Sequence, residues 1–152
     1  MLSKEEKKNL RIEFWNKLEK QLENITNPHG SKVKWMNYNT SVKHLYFRME
    51  ADEEGARLCI DLQFPDDGIR SLYWEQFLEF NNILTEKFKD LIWIESFEHT
   101  NGKTVSRISV SKDGCHLWNR DDWDKMHLFL KINFKKLDEF WTEFGEVFVN
   151  LK

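Results

Sequence analysis

Between Leu45 and Phe64 apolar side chains fall on alternate positions: Leu45, Phe47 and Met49, then, beyond Asp52-Glu53-Glu54-Gly55, Leu58, Ile60, Leu62 and Phe64. A two-residue period buries one face of a strand, and two such runs joined by a short glycine-bearing turn predict a hairpin. Both faces fix its register together. If Phe47 faces Ile60, then Met49 faces Leu58 on the buried side, while Glu50 meets Arg57 and Tyr46 meets Asp61 on the other.

The period then changes. After Pro65-Asp66-Asp67-Gly68, the positions Ile69, Tyr73, Phe77, Phe80, Leu84 and Phe88 trace an amphipathic helix with acids at its start. Leu91 to Glu98 and Thr104 to Ser111 predict a second hairpin across Asn101-Gly102. Its register stays open: a two-residue turn puts Trp93 and Phe97 on the face of Ile108 and Val110, whereas a bulged turn puts Ile92 and Ile94 there and pairs Glu95 with Arg107. Asn119, Asp121 and Asp122 then cap a helix with the stripe Trp123, His127, Leu130, Phe134, Leu137, Trp141, Phe144 and Phe148. Run from Arg120 to Asn150, that helix would extend on the order of 45 Å, which calls for a kink near 132–136 or a protruding dimer surface.

Ahead of these units, Ser3 and Glu6 form a capping-box pattern and Leu10, Phe14, Leu18 and Leu22 recur every fourth residue, widened by Trp15 and Ile25. Asn27, Pro28 and Gly30 end this helix, and an irregular segment carries Ser31 to Ser41. The expected layout is α-ββα-ββα: one α+β domain over residues 1–152, with four antiparallel strands in two hairpins and helices mainly on one face.

Twelve Phe and seven Trp give a chain of 152 residues enough large apolar side chains to close one core without disulfide or metal staples. The net charge of −3 mixes 23 basic with 26 acidic residues, so any nucleic-acid surface must be local. The two cysteines, Cys59 and Cys115, show no ligand spacing and are expected to be reduced. MLSKEEKKNL lacks the apolar region of a secretory signal, and no run reaches the ~18 apolar residues of a membrane span. A cytoplasmic chain without membrane contact is expected.

Two constellations nominate binding residues. In KVKWMNYNTSVKHLYFRME, Lys32, Lys34 and Lys43 offer charge for phosphates, Trp35 and Tyr38 offer faces for bases, and Asn37 offers an amide edge. The competing reading is that Trp35 and Tyr38 pin an irregular loop to the core beneath solvated lysines. On the polar face of the first hairpin, Tyr46, Arg48, Arg57 and Asp61 would line a groove if that face is open, or form an ordinary charged ladder if it is not. Arg70, just inside a helix start, opposes the macrodipole and asks for an anion, with Asp67 and Glu75 at hand.

Catalytic signals are weak. A metal-dependent nuclease invites thought of Asp61 and Pro65-Asp66, but no strand carries an acid-x-lysine pair, and Asp122-Trp123-Asp124-Lys125 falls at a helix start. The five histidines show no metal spacing, and there is no nucleophile elbow or glycine-rich phosphate loop. Neither cofactor nor metal is expected, and no catalytic residue is assigned. The C-terminal stripe leaves room for a homodimer or a protein partner through Trp141, Phe144 and Phe148, against packing on the N-terminal helix.

The segments KVKWMNYNTSVKHLYFRMEAD, PDDGIRSLYWEQF, NGKTVSRI and LDEFW, in that order, resemble an uncharacterised bacterial family, domain of unknown function 4268, across nearly the whole chain. The resemblance implies short stand-alone cytoplasmic proteins, with similar domains at the ends of longer chains beside nuclease-like regions. It supplies no catalytic residues. Together with the basic, aromatic segment it favours a binding domain for nucleic acid or nucleotide, ahead of a protein-interaction module and of a nuclease.

Overall fold

A computed structural model describes residues 1–151. Helix α1 spans Lys4–Leu22, strands β1 Leu45–Asp52 and β2 Gly55–Leu62, helices α2 Asp67–Glu79 and α3 Asn81–Lys87, strands β3 Ile92–Glu98 and β4 Thr104–Lys112, and helix α4 Trp123–Val149. The strands form one antiparallel sheet in the order β1-β2-β4-β3, so the two hairpins meet through β2 and β4. The protein is an α+β fold with the expected element order.

The first hairpin adopts the register that its two faces dictate, with Phe47 opposite Ile60, Met49 opposite Leu58, Glu50 opposite Arg57 and Tyr46 opposite Asp61. Gly55 closes its turn at φ +133, where an added Cβ would lie 2.0 Å from the Lys112 carbonyl oxygen. The second hairpin combines the two expectations. Trp93 pairs with Ile108, leaving Ile92 and Ile94 on the outer face, but a bulge between Ile94 and Phe97 sets Phe97 opposite Val105 and moves its ring to the face of Arg107. Glu95 does not meet the Arg107 side chain as the bulged register predicted. Its carbonyl accepts a hydrogen bond from the Ser106 hydroxyl instead.

Helices cover the face carrying Phe47, Ile60 and Ile108. Trp141 of α4 meets Phe47 edge-on at 5.1 Å, and Trp74 of α2 meets Trp93 at 5.7 Å. The capping box at Ser3 forms as predicted, and Leu10, Phe14, Leu18 and Leu22 are all buried. The helix predicted from Ile69 to Phe88 is two, broken at Phe80, whose φ of −94° and ψ of 12° leave the α-helical basin. The break lets the Phe80 ring reach Phe140, Phe144 and Phe148 at 5.0–5.6 Å.

Helix α4 is continuous over 27 residues, preceded by a 3₁₀ turn at Arg120–Asp122. Different neighbours cover its two halves. Near the start Phe14 of α1 packs on Trp123 and His127, whereas Phe148, near the end, packs on Phe77 of α2 at 4.3 Å. The N-terminal helix therefore does not cover Trp141, Phe144 or Phe148. Trp141 and Phe148 are buried against Phe47 of β1, Phe77 of α2 and Phe80, Phe144 is half-buried against Phe80, and Val147 and Val149 are exposed.

Candidate anion-binding cleft beside β1

The segment from Lys34 to His44 is held on the core by its apolar and hydroxyl side chains, which turns its charged ones outward. Trp35 is 4% exposed; its indole N–H donates to the Ile25 carbonyl at 3.2 Å, and its ring meets Phe134 edge-on at 5.2 Å. Tyr38 packs on Phe47 and Phe134, and its hydroxyl donates to Asp138 Oδ1 at 2.6 Å. Burial, reinforced by that carboxylate, pushes the Tyr38 hydroxyl far above its ordinary pKa, so it stays a donor. Burial likewise raises Asp138, outweighing the stabilising Tyr38 hydrogen bond.

Beyond Tyr38 the chain folds around Thr40, whose buried Oγ1 lies 3.1 and 2.9 Å from the Val42 and Leu45 carbonyls, while its own carbonyl accepts from the Trp141 indole at 3.1 Å. Asn39 Oδ1 accepts from the Ser41 amide at 2.8 Å. This anchoring holds Ser41 and His44 at φ +64 and +74, a region that a serine seldom adopts and that histidine, like asparagine and aspartate, tolerates better.

Two adjoining clefts flank this segment. The smaller, about 150 Å³, lies between residues 35–38, the outer edge of β1 at Tyr46–Met49, and Trp15 of α1. The larger, about 580 Å³, follows the loop from Lys34 to Tyr46. Asn37, Tyr38 and Tyr46 line both. Lys34, Lys43 and Arg48 supply the positive charge, with the His44 ring beside them, and no aspartate or glutamate belongs to either lining. Arg48 lies 4.4 Å over the Tyr46 ring and, among the described residues, forms no ion pair, so its charge remains available.

The nominated residues thus separate. Lys34, Asn37, Tyr38, Lys43, Tyr46 and Arg48 come together at the clefts. Trp35 borders the smaller one, but its burial removes it as a face on which a base could stack. Lys32 sits in a bridge with Thr26 and lines neither cleft. Arg70 is buried, held by Asp67 at 2.6 Å and by the Phe64 carbonyl at 3.0 Å; Glu75 takes no part. His44 went unnominated, because only its backbone conformation distinguishes it.

Arg57 and Asp61 belong to an ion network on the uncovered sheet face. Arg107 donates to both Asp61 oxygens at 2.7 and 2.9 Å and to both Glu50 oxygens at 3.2 and 3.1 Å, while Arg57 joins Glu50 to Asp52. Burial works to raise Glu50, but Arg107 and Arg57 together hold it below the usual carboxylate range. Both Asp61 oxygens are therefore engaged as the counter-ion of Arg107. Among the described residues no three His, Cys, Asp or Glu side chains cluster as a metal site. Asp122 pairs with Lys125 at 3.2 Å at the start of α4. No described helix is long and apolar enough to cross a membrane.

Fold and cleft together define a class: an α+β domain on one four-stranded antiparallel sheet, helices on one face, with a basic cleft at the outer edge of β1. The family model of domain of unknown function (DUF4268) matches residues 10–145, and the chain belongs to that family. No curated protein and no solved structure matches it.

Proposed function

We propose that the protein is a cytoplasmic, non-catalytic binding domain for single-stranded nucleic acid, which lays the phosphate backbone along the paired clefts beside β1. The observation that carries this reading is the one-sided lining: Lys34, Lys43 and Arg48 and no carboxylate, in a chain where acids outnumber lysine and arginine 26 to 23. A ligand with regularly spaced negative charge gains most from such a surface. Because Trp35 is interior, affinity comes chiefly from phosphate contacts, with Tyr46 and the Asn37 amide as the nearest base-facing groups. Bound strand would quench or shift the fluorescence of Trp15 and Trp35, both of which border the smaller cleft. A titration with short oligonucleotides at low salt gives a saturable change that Lys43→Glu and Arg48→Glu weaken. A flat titration of the folded protein refutes the proposal.

A further inference from the structure

The outer edge of β1 is bare where the smaller of the two basic clefts opens. In an antiparallel pair, residues whose backbone groups bond across the pair alternate with residues whose groups point away from it. The Gln63 amide donates to the His44 carbonyl at 2.8 Å, and in the register that sets Leu45 opposite Leu62 this makes the even-numbered residues of β1 the ones bonded to β2. Leu45, Phe47 and Met49 therefore turn their N–H and C=O groups outward. The preceding loop satisfies Leu45, whose N–H donates to the Val42 carbonyl at 3.2 Å and whose carbonyl accepts from the Thr40 hydroxyl at 2.9 Å. Phe47 and Met49 line the smaller cleft, and among the described residues no other backbone group meets theirs.

We infer that this cleft takes one pyrimidine base of the strand whose phosphates the basic clefts hold, with the hydrogen-bonding edge of the base on the backbone of Phe47 and Met49; the inference rests on that reading. A space of about 150 Å³ admits one six-membered ring and leaves no room for the second ring of a purine. Its walls, among them Trp15, Tyr38, Tyr46 and Met36, suit the faces of a flat ring. The strand edge presents N–H donors beside C=O acceptors. Cytosine sets its amino donor beside the N3 acceptor, and thymine and uracil set the N3–H beside a carbonyl, so every pyrimidine meets that edge with one donor and one acceptor. Purines carry comparable edges and are excluded by size. A fifth β-strand would use the same backbone groups, but it needs an open trough about 4.8 Å beyond β1. Residues 35–38 and Trp15 close the far side of this cleft instead. Asn37, Tyr38 and Tyr46 line this cleft and the larger one, where Lys34 and Lys43 lie, so a strand with its base in the small cleft continues onto those lysines.

The test uses the wild-type protein and a hexamer of abasic deoxyribose phosphates, either bare or carrying one central thymine, cytosine, adenine or guanine. Each is titrated at low salt, with tryptophan fluorescence for affinity and amide NMR for position. Thymine and cytosine each tighten binding about tenfold over the bare hexamer, the size of one bidentate base contact, and the purines give much less. The Phe47 and Met49 amide protons move downfield with the thymine hexamer and not with the bare one, and 3-methylthymine, which lacks the N–H, loses the gain. A purine gain equal to that of the pyrimidines overturns the base site, as does a thymine gain that survives 3-methylation or leaves both amides unmoved. Equal affinity for all five hexamers also overturns it and leaves the phosphate reading intact. Failure of every hexamer to bind overturns both.

Discussion

Replacing Arg107 with Met keeps much of the side-chain volume and removes the charge that holds the uncovered sheet face together. The consequence concentrates on Asp61, whose side chain is 2% exposed and whose two oxygens both accept from Arg107. Glu50, at 36% exposure, retains Arg57 and is screened by solvent, so its share is small. Removing one partner of a buried pair leaves an uncompensated charge and costs about 3–5 kcal/mol. For a domain of this size, where 1 kcal/mol shifts the midpoint by roughly 2–4 °C, thermal unfolding should fall by about 6–20 °C. The assay is urea and thermal unfolding of Arg107→Met beside Arg107→Met/Asp61→Leu. The double variant should recover most of the loss, because it no longer buries a lone carboxylate. A single-variant loss below about 1 kcal/mol, or a double variant no better than the single, refutes the claim that Asp61 depends on Arg107.

Three further outcomes follow from the packing. Asp138→Asn keeps an oxygen acceptor for Tyr38 while removing a carboxyl that burial already drives toward its neutral form; urea unfolding at pH 7 should show it neutral to stabilising, whereas Asp138→Leu, which strands the Tyr38 hydroxyl, should lose about 1–3 kcal/mol. His127 is buried between the Phe14 carbonyl at 3.0 Å and the Gln21 amide at 3.2 Å, and burial lowers its pKa below the ordinary value of 6.5. Its neutral form is favoured in the fold, so this stability is present above the ordinary pKa of about 6.5 and is lost as pH falls below it; the urea midpoint should decline as pH drops below about 6.5, and His127→Gln should flatten that limb. Gly55→Ala forces a Cβ to 2.0 Å from a backbone oxygen at positive φ, so chemical denaturation should show a loss of more than about 2 kcal/mol.

What the sequence reveals depends on whether a signal is local. Phe47–Ile60 and Glu50–Arg57 are cross-strand neighbours within one hairpin, so patterning alone aligns them. Arg107 and Asp61 meet only because β4 joins β2, a non-local choice to which neither hairpin's alternation speaks. Phe97 changes face through a bulge with no glycine or proline to mark it. Phe80 breaks a helix ahead of Asn81-Asn82, a weak helix-forming pair that the apolar stripe running through it conceals. The cleft was legible as a composition of Lys34, Lys43, Arg48 and amides. The inward turn of Trp35 matches the reading in which Trp35 and Tyr38 pin the loop to the core, which the number of aromatics already spent on packing favours, but residues 31–41 have no period from which to assign sides. His44 enters through its conformation, which the core beneath Thr40 imposes.

The central claim, that the basic side chains beside β1 hold phosphates, is tested most directly by the salt dependence of oligonucleotide affinity in wild type and Arg48→Gln. Contacts from Lys34, Lys43 and Arg48 give a slope of log K against log salt near −2, at about 0.7 per neutralised phosphate on a single strand, and Arg48→Gln reduces its magnitude by about 0.7. A slope near zero, or one unchanged by Arg48→Gln, contradicts the account.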